Sequence, residues 1–415
     1  LGGGRSGSPE TGRPTHPGRF AAPHAGMRGR VKPLKTFYFL VSAGALSVGL
    51  SACGSASDPA PPTCTQAHDV VVATSDYASS GVTALRLSDG KRESRFGVDL
   101  GKDPALAVSR GRLFLLARDQ DLAFELDPTC GAPIAKIGLH DEGASGVQNP
   151  QDLAVDSAGR MWVPRFNDGT LLVLEGGART AVPLGAFDED GNPQPASVRV
   201  VRTSRGERAF VSLERLDRDL VSRRPSAVLE LDTATRAPVR AHPLLGKNPF
   251  GAMVEHEGGL YLAEPGNFDA DDEPDAGVER FDPETGSSRM VLGERELGGS
   301  VAELAFAGPC LVAIVADPKK DVNATSLVLA DTRGTPRVTA RGDTTLRTSG
   351  YDLQGLFVRG DTLFVGDRRA RGDGTYEVHA FRITDTCTLT RDTSLPPLSL
   401  PQKPVALRSV LQNTR

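Results

Sequence analysis

The sequence predicts an all-β protein: a seven-bladed β-propeller built from four-stranded antiparallel blades. Three observations carry this expectation. Short apolar segments alternate with turn residues throughout, with 46 Gly and 30 Pro among 415 residues, a punctuation that favours many short strands over long helices. A three-strand motif recurs at a spacing of roughly 40–50 residues, the span of one propeller blade. An orphan strand at each end of the repeated region supplies what the other end lacks.

Each repeat opens on a strand of small residues, as at 104–108, 150–155 and 353–358. Small side chains suit the innermost strand, where blades crowd a central channel. A more apolar second strand follows, at 113–117, 161–163, 209–211, 260–263, 311–315 and 363–365. The third strand alternates and commonly ends in an acid: 84–89, 124–127, 228–232, 278–282 and 327–331 close on Asp89, Asp127, Asp232, Asp282 and Asp331. Segments 171–175 and 378–383 complete the series. The fourth, outer strand is weakly marked. Segment 70–74 is already a second-position strand with no inner strand before it, and 403–410 is an inner strand with no blade after it. The C-terminal strand is therefore expected to complete blade one and remove the open edge that an unclosed array would present. The pattern resembles the YncE, NHL and SMP-30-like propellers over essentially all of residues 67–412. That resemblance implies a fold and not a chemistry.

The chain before the repeats reads differently. Residues 1–26 lack apolar periodicity and read as an upstream extension of a coding frame that begins at Met27. Residues 27–52 run from basic (Arg28, Arg30, Lys32, Lys35) through apolar (37–50) to small, the order of a secretory signal. Leu50-Ser51-Ala52-Cys53 resembles the lipobox of bacterial lipoproteins. The resemblance implies cleavage before Cys53 and acylation of that residue, with each buried methylene contributing roughly 0.8 kcal/mol to membrane anchoring. Gly54 in place of Asp implies the outer membrane of a Gram-negative cell envelope. Residues 53–66 then form a Ser-, Ala- and Pro-rich tether.

With Cys53 lipidated, Cys64, Cys130, Cys310 and Cys387 remain, an even set that suggests two disulfides in an exported chain. None forms a CxxC, which argues against zinc. Their blade positions place all four on one face in two equivalent neighbour relations, so Cys64–Cys130 and Cys310–Cys387 are the expected pairs. The net charge of −4 gives no electrostatic footprint for nucleic acid.

Loops after second strands belong to the opposite face. They are long at 214–226, 264–277, 317–326 and 367–376, and begin with Glu214, Glu264, Asp317 and Asp367. These four acids mark the expected binding face. Asp269, Asp271, Asp272, Glu273 and Asp275 form an acidic cluster whose hard oxygens suit Ca²⁺, and Asp188, Asp190 and Asn192 form a smaller version; neither is a full EF-hand loop. Asn167-Asp168-Gly169 is similar to a stretch of SMP-30-type lactonases, which implies a divalent metal held near Asn167, Glu264 and Asp367, although Asn-Asp-Gly is also a common turn. His68, His140, His242, His256 and His379 are scattered and read as surface or strand residues, and Trp162 as core. No catalytic residue is assigned and no certain cofactor. The leading expectation is a monomeric binding or scaffolding module for an envelope protein, glycan or small ligand, tied to the membrane by its lipid. The second is a metal-dependent lactonase.

Overall fold

The computed structural model describes residues 64, 66–96, 100–268, 273–317 and 324–410. The expected signal, Cys53, and Asp269, Asp271 and Asp272 of the acidic cluster lie outside these residues.

Seven antiparallel sheets make up the described chain. Blade one contains Val70–Ser75, Ser80–Leu85 and Arg92–Phe96. Its innermost strand is Pro404–Arg408, paired antiparallel with Val70–Ser75 through Val72↔Leu407 and Ala73↔Ala406. The C-terminal closure thus forms as the sequence predicts. The inner strands of blades two to seven are Pro104–Ser109, Ala154–Val155, Pro195–Thr203, Phe250–His256, Ser300–Ala307 and Leu353–Arg359. Each contacts the next around the whole ring. Among the described residues helix is confined to one α-turn, Glu294–Leu297, and short 3-10 turns, and none is long and apolar enough to cross a membrane. One strand is not legible in the sequence: Leu398–Leu400 pairs with Tyr376–Ile383 in blade seven, beside the outer strand Leu389–Arg391.

The core explains why second strands read as continuous apolar runs. Buried side chains fall into seven clusters, one at each seam between blades. Along Arg112–Ala117, Leu113 and Leu115 pack toward blade one while Phe114 and Leu116 pack toward blade three. Both faces of the strand are therefore covered, and every position wants an apolar side chain. Burying each such Leu or Phe contributes about 1.5–3 kcal/mol. The seam between blades seven and one joins Phe357 and Phe364 to Val70, Val72 and Leu85, with Leu398, Leu400 and Leu407 from the C-terminal strands filling the remainder.

The acid that ends many third strands is a turn cap. Carboxylates of Asp127, Asp232, Asp282 and Asp331 accept N–H bonds from Thr129, Thr235, Glu284 and Arg333, at 2.8, 2.9, 2.9 and 3.0 Å. Such Asx turns set the reversal into the outer strand. Asp156 does related work in the blade-three turn, accepting from Trp162 Nε1 at 2.9 Å and Arg160 Nε at 2.6 Å.

Inner strands carry a register shift near the channel mouth in blades one, four, five, six and seven. A bulge frees backbone N–H groups from the ladder. Side chains from the preceding blade capture several of them. Asp152 accepts from Val198 N (3.1 Å), Ser197 Oγ from Met253 N (3.3 Å), and Glu303 from Gly355 N (2.9 Å) and Leu356 N (3.0 Å). The inner ring is stapled polar group to backbone, around the axis.

The disulfides are Cys64–Cys130 and Cys310–Cys387, with Cα separations of 5.6 and 5.2 Å. They join blade one to two and six to seven on a single face.

Because blade one needs Pro404–Arg408 to cover its inner edge, a chain ending at Gln402 should lose the sharp cooperative unfolding transition of the full chain. Thermal melting followed by circular dichroism checks this, and an unchanged transition would contradict closure by the C-terminal strand.

Candidate ligand site at the channel mouth

On the face opposite the disulfides, the residue after each second strand lies at the mouth end of its blade. Cross-strand pairs Pro104↔Ala117, Pro195↔Leu213, Phe250↔Ala263, Ser300↔Ala316 and Leu353↔Asp367 fix the common register. With Pro150↔Arg165 and Pro404↔Thr74, the equivalent mouth residues are Ser75, Arg118, Phe166, Glu214, Glu264, Asp317 and Arg368. Three of the four acids of the expected binding face share this position. Asp367 lies one residue earlier; strand alternation turns it, like Glu264 and Asp317, toward the preceding blade, and Glu214 toward the following one.

Burial changes what these acids can do. Glu214, Glu264 and Asp367 are buried, because each belongs to a strand end sandwiched between blades. They do not form a solvent-facing array. Asp367 accepts from His379 Nε2 at 2.9 Å and Arg369 Nη2 at 2.6 Å. Burial pushes its carboxyl up, but these bonds outweigh it and hold the group below the usual range. Asp317 pairs with Arg347 at 3.3 Å. Glu214 has no ion-pair partner among the described residues, and burial pushes its carboxyl up to about 8. Glu264 is fully enclosed. Burial and the neighbouring Glu279 carboxyl raise it well above the ordinary value, and neither of its carboxyl oxygens has a hydrogen-bond partner. Glu279 accepts N–H groups from Leu245 and Gly246, at 2.9 and 2.8 Å.

Of the acidic cluster, Glu273 accepts from Asn267 and Asp275 pairs with Lys247 at 2.7 Å. Asp188 meets Arg224 at 2.8 Å, while Asp190 and Asn192 cap successive backbone N–H groups of their own loop. Asn167 donates to the Val147 carbonyl at 2.8 Å in blade three. Asn167, Glu264 and Asp367 thus belong to separate networks in blades three, five and seven. Among the described residues, Cys64, Asp127 and Cys130 are the one group of three His, Cys, Asp or Glu side chains gathered closely enough to hold a metal, and both cysteines are in the disulfide. His242 and His379 are strand residues, as expected, and are buried, with His242 bonded to Glu230 at 3.0 Å; His68, just before Val70–Ser75, is buried as well.

A different set of side chains is contiguous at the mouth. The Arg368 guanidinium lies over the Tyr77 ring at 5.2 Å and donates to Gln354 Oε1 at 2.8 Å, leaving its buried Nε without a partner. Tyr77 N donates to Ser75 Oγ, which donates to the Lys102 carbonyl. Next to Lys102, Asp103 accepts from Arg118, whose Nη1 donates to Gln151 Oε1 at 2.9 Å. Burial raises the Tyr351 hydroxyl, with the nearby Glu303 carboxylate adding to the effect, so Tyr351 is a neutral hydrogen-bond donor. Tyr77, Arg118, Gln151, Tyr351, Gln354 and Arg368 therefore make an arc over blades seven, one, two and three. Arg408 lies close enough to Glu303, Arg199 and Asp152 to feel their charges, and Arg199 pairs with Asp152 at 2.7 Å.

Sequence reading missed this arc, although a signal existed. Gln151 and Gln354 occupy matching places in the inner-strand segments 150–155 and 353–358, and Arg118 and Arg368 each follow a second strand. Aligning repeats column by column, rather than searching for acids, exposes them. Tyr77 carries no such pattern; a backbone with φ of 64° aims it.

No protein-family model matches the sequence, and no curated protein matches it. Solved structures do. Apo AztD from Citrobacter koseri aligns with a TM-score of 0.52 at 12% identity, covering 83% of this chain and 98% of that one. A proposed 6-phosphogluconolactonase from Bacteroides uniformis aligns at 0.51 and 12% identity, covering 83% and 99%. A Lactobacillus plantarum protein aligns at 0.51 and 14%, covering 82% and 99%. At such identities the likeness establishes the fold, a β-propeller, and leaves its chemistry open.

The raised Glu264 carboxyl yields a pH prediction. Its folded value lies above that of the unfolded chain, so its contribution is intact in acid and declines as pH rises toward the folded value. Glu264→Gln keeps the neutral shape. Relative to the wild type it should gain stability between pH 5 and 8, at up to about 1.4 kcal/mol per pH unit for one proton. Urea midpoints at both pH values measure the gap; a gap that does not widen contradicts the proton on Glu264.

Proposed function

We propose that this chain is a ligand-binding propeller of the cell envelope, held through a lipid on Cys53, with its ligand seated on the mouth arc. The contiguous set of Tyr77, Arg118, Gln151, Tyr351, Gln354 and Arg368 carries this reading. Binding sites join aromatic surface to a few convergent polar groups, and this arc has both. Exposed Tyr77 offers a face on which a sugar ring can stack, and the amides of Gln151 and Gln354 suit hydroxyl groups. Arg368 and Arg118 suit a carboxylate, which a guanidinium grips through two parallel bonds. The ligand class that fits is an anionic glycan, such as a uronic acid oligosaccharide. The lactonase alternative needs Asn167, Glu264 and Asp367 on one ion, and their separate bonding gives it no support.

Titration calorimetry with glucuronate- and galacturonate-containing oligosaccharides tests the proposal. Arg368→Ala and Tyr77→Ala should each weaken binding at least tenfold, about 1.4 kcal/mol, with an unchanged melting temperature. Equal affinity in both variants would reject the arc as the seat. Loss of membrane association in Cys53→Ser tests the anchor separately.

A further inference from the structure

We infer that the seam between blades four and five holds a second site, a hard-cation site of the Ca²⁺ class, built from the Glu214 carboxylate and the side-chain oxygens of Gln194 and Asn248. It is independent of the mouth arc.

The argument starts from alternation. Phe210, Ser212 and Glu214 lie on one side of the strand Gly206–Leu213 and its extension. Phe210 packs against Phe281 of blade five, with ring centres 5.6 Å apart. Ser212 Oγ bonds Ser197 Oγ, which in turn accepts from Met253 N of blade five. Glu214, next in the row, therefore faces blade five. There Asn248 stands just before the inner strand. Ser226 Oγ ties the two together, donating to the Glu214 carbonyl at 2.9 Å and accepting from Asn248 N at 2.8 Å. Gln194 flanks the same point, because its carbonyl accepts Glu214 N at 3.2 Å.

These groups share a shortage of donors. Gln194 Oε1 and Asn248 Oδ1 are buried and bond to nothing. Asn248 is oriented by its own Nδ2, which donates to the Gly266 carbonyl at 2.8 Å. The cations nearest in sequence lie toward other acids, although Arg215 Nε and Arg224 Nη1 have no hydrogen-bond partner. Arg215 and Arg224 both turn to Asp188, at 3.7 and 2.8 Å, and Lys247 to Asp275. A buried carboxylate and two buried amide oxygens without donors would each leave an uncompensated desolvation penalty. A cation that prefers oxygen ligands relieves all of them at once, and Ca²⁺ takes carboxylate, amide carbonyl and water together. The positive backbone φ at Gln194 and Asn248, 46° and 57°, repeats at the two amide residues. Both precede a proline, so the same strained turn presents both amides.

The test is calorimetric titration of the purified full chain with CaCl₂, and with MgCl₂ for comparison. The wild type should bind one Ca²⁺ with a dissociation constant near or below roughly 1 mM, the range of extracellular modules. Glu214→Gln and Asn248→Ala should weaken this at least tenfold, and Asp271→Asn should leave it unchanged. Absence of Ca²⁺ heat at millimolar concentration would overturn the inference, as would full binding in Glu214→Gln. Loss confined to Asp271→Asn would also overturn it, by moving the ion to the acidic loop. Melting temperatures without Ca²⁺ show whether each variant is folded.

Discussion

A four-stranded blade has two faces and no core of its own. Everything else in this molecule follows from that constraint. Each sheet becomes stable only when a neighbour covers it on either side, so the array must close, and the last seam is as necessary as the first. The seven apolar clusters lie at the seams and not within blades. Sharing blade one between the chain's two ends makes closure part of folding: the ring cannot complete until Pro404–Arg408 has found Val70–Ser75. That pairing spans more than three hundred residues, a contact of the kind that makes β-rich topologies slow to fold.

Closure also shapes the axis. Near the mouth the inner strands bulge, and the freed N–H groups are met by Asp152, Ser197 and Glu303 from the blade before. A polar channel is thus a structural requirement before it is a functional one. The charged groups that face it are mostly occupied, and the side chains with capacity to spare stand above them at the mouth. This division separates residues that hold the ring from residues that can meet a ligand.

The fold was largely legible because its periodicity is carried by burial. Second strands such as Arg112–Ala117 are apolar at successive positions, since both faces are covered, and they stand out against turn residues. The disulfide pairs were legible once blade positions were assigned. The site was not. Glu214 and Asp367 look alike in sequence, each opening a long loop, yet a shift of one residue sends them to different surroundings with opposite effects on their protons. Register of that kind comes from bulges, which leave little trace in composition. The terminal acids of third strands were visible as a pattern, but their task as turn caps needed hydrogen bonds to be seen. Leu398–Leu400 was hidden by the two prolines before it.

The position of Cys64 has a mechanical consequence. Tension arriving from the segment before it would not meet the edge of a β-sheet, where hydrogen bonds can be unzipped one after another. It would enter a covalent crosslink to Cys130 and divide between blades one and two. The strand next in line, Val70–Ser75, lies between Pro404–Arg408 and Ser80–Leu85, so it resists by shear along both sides. A propeller fastened this way can be dragged by its leading end without being peeled.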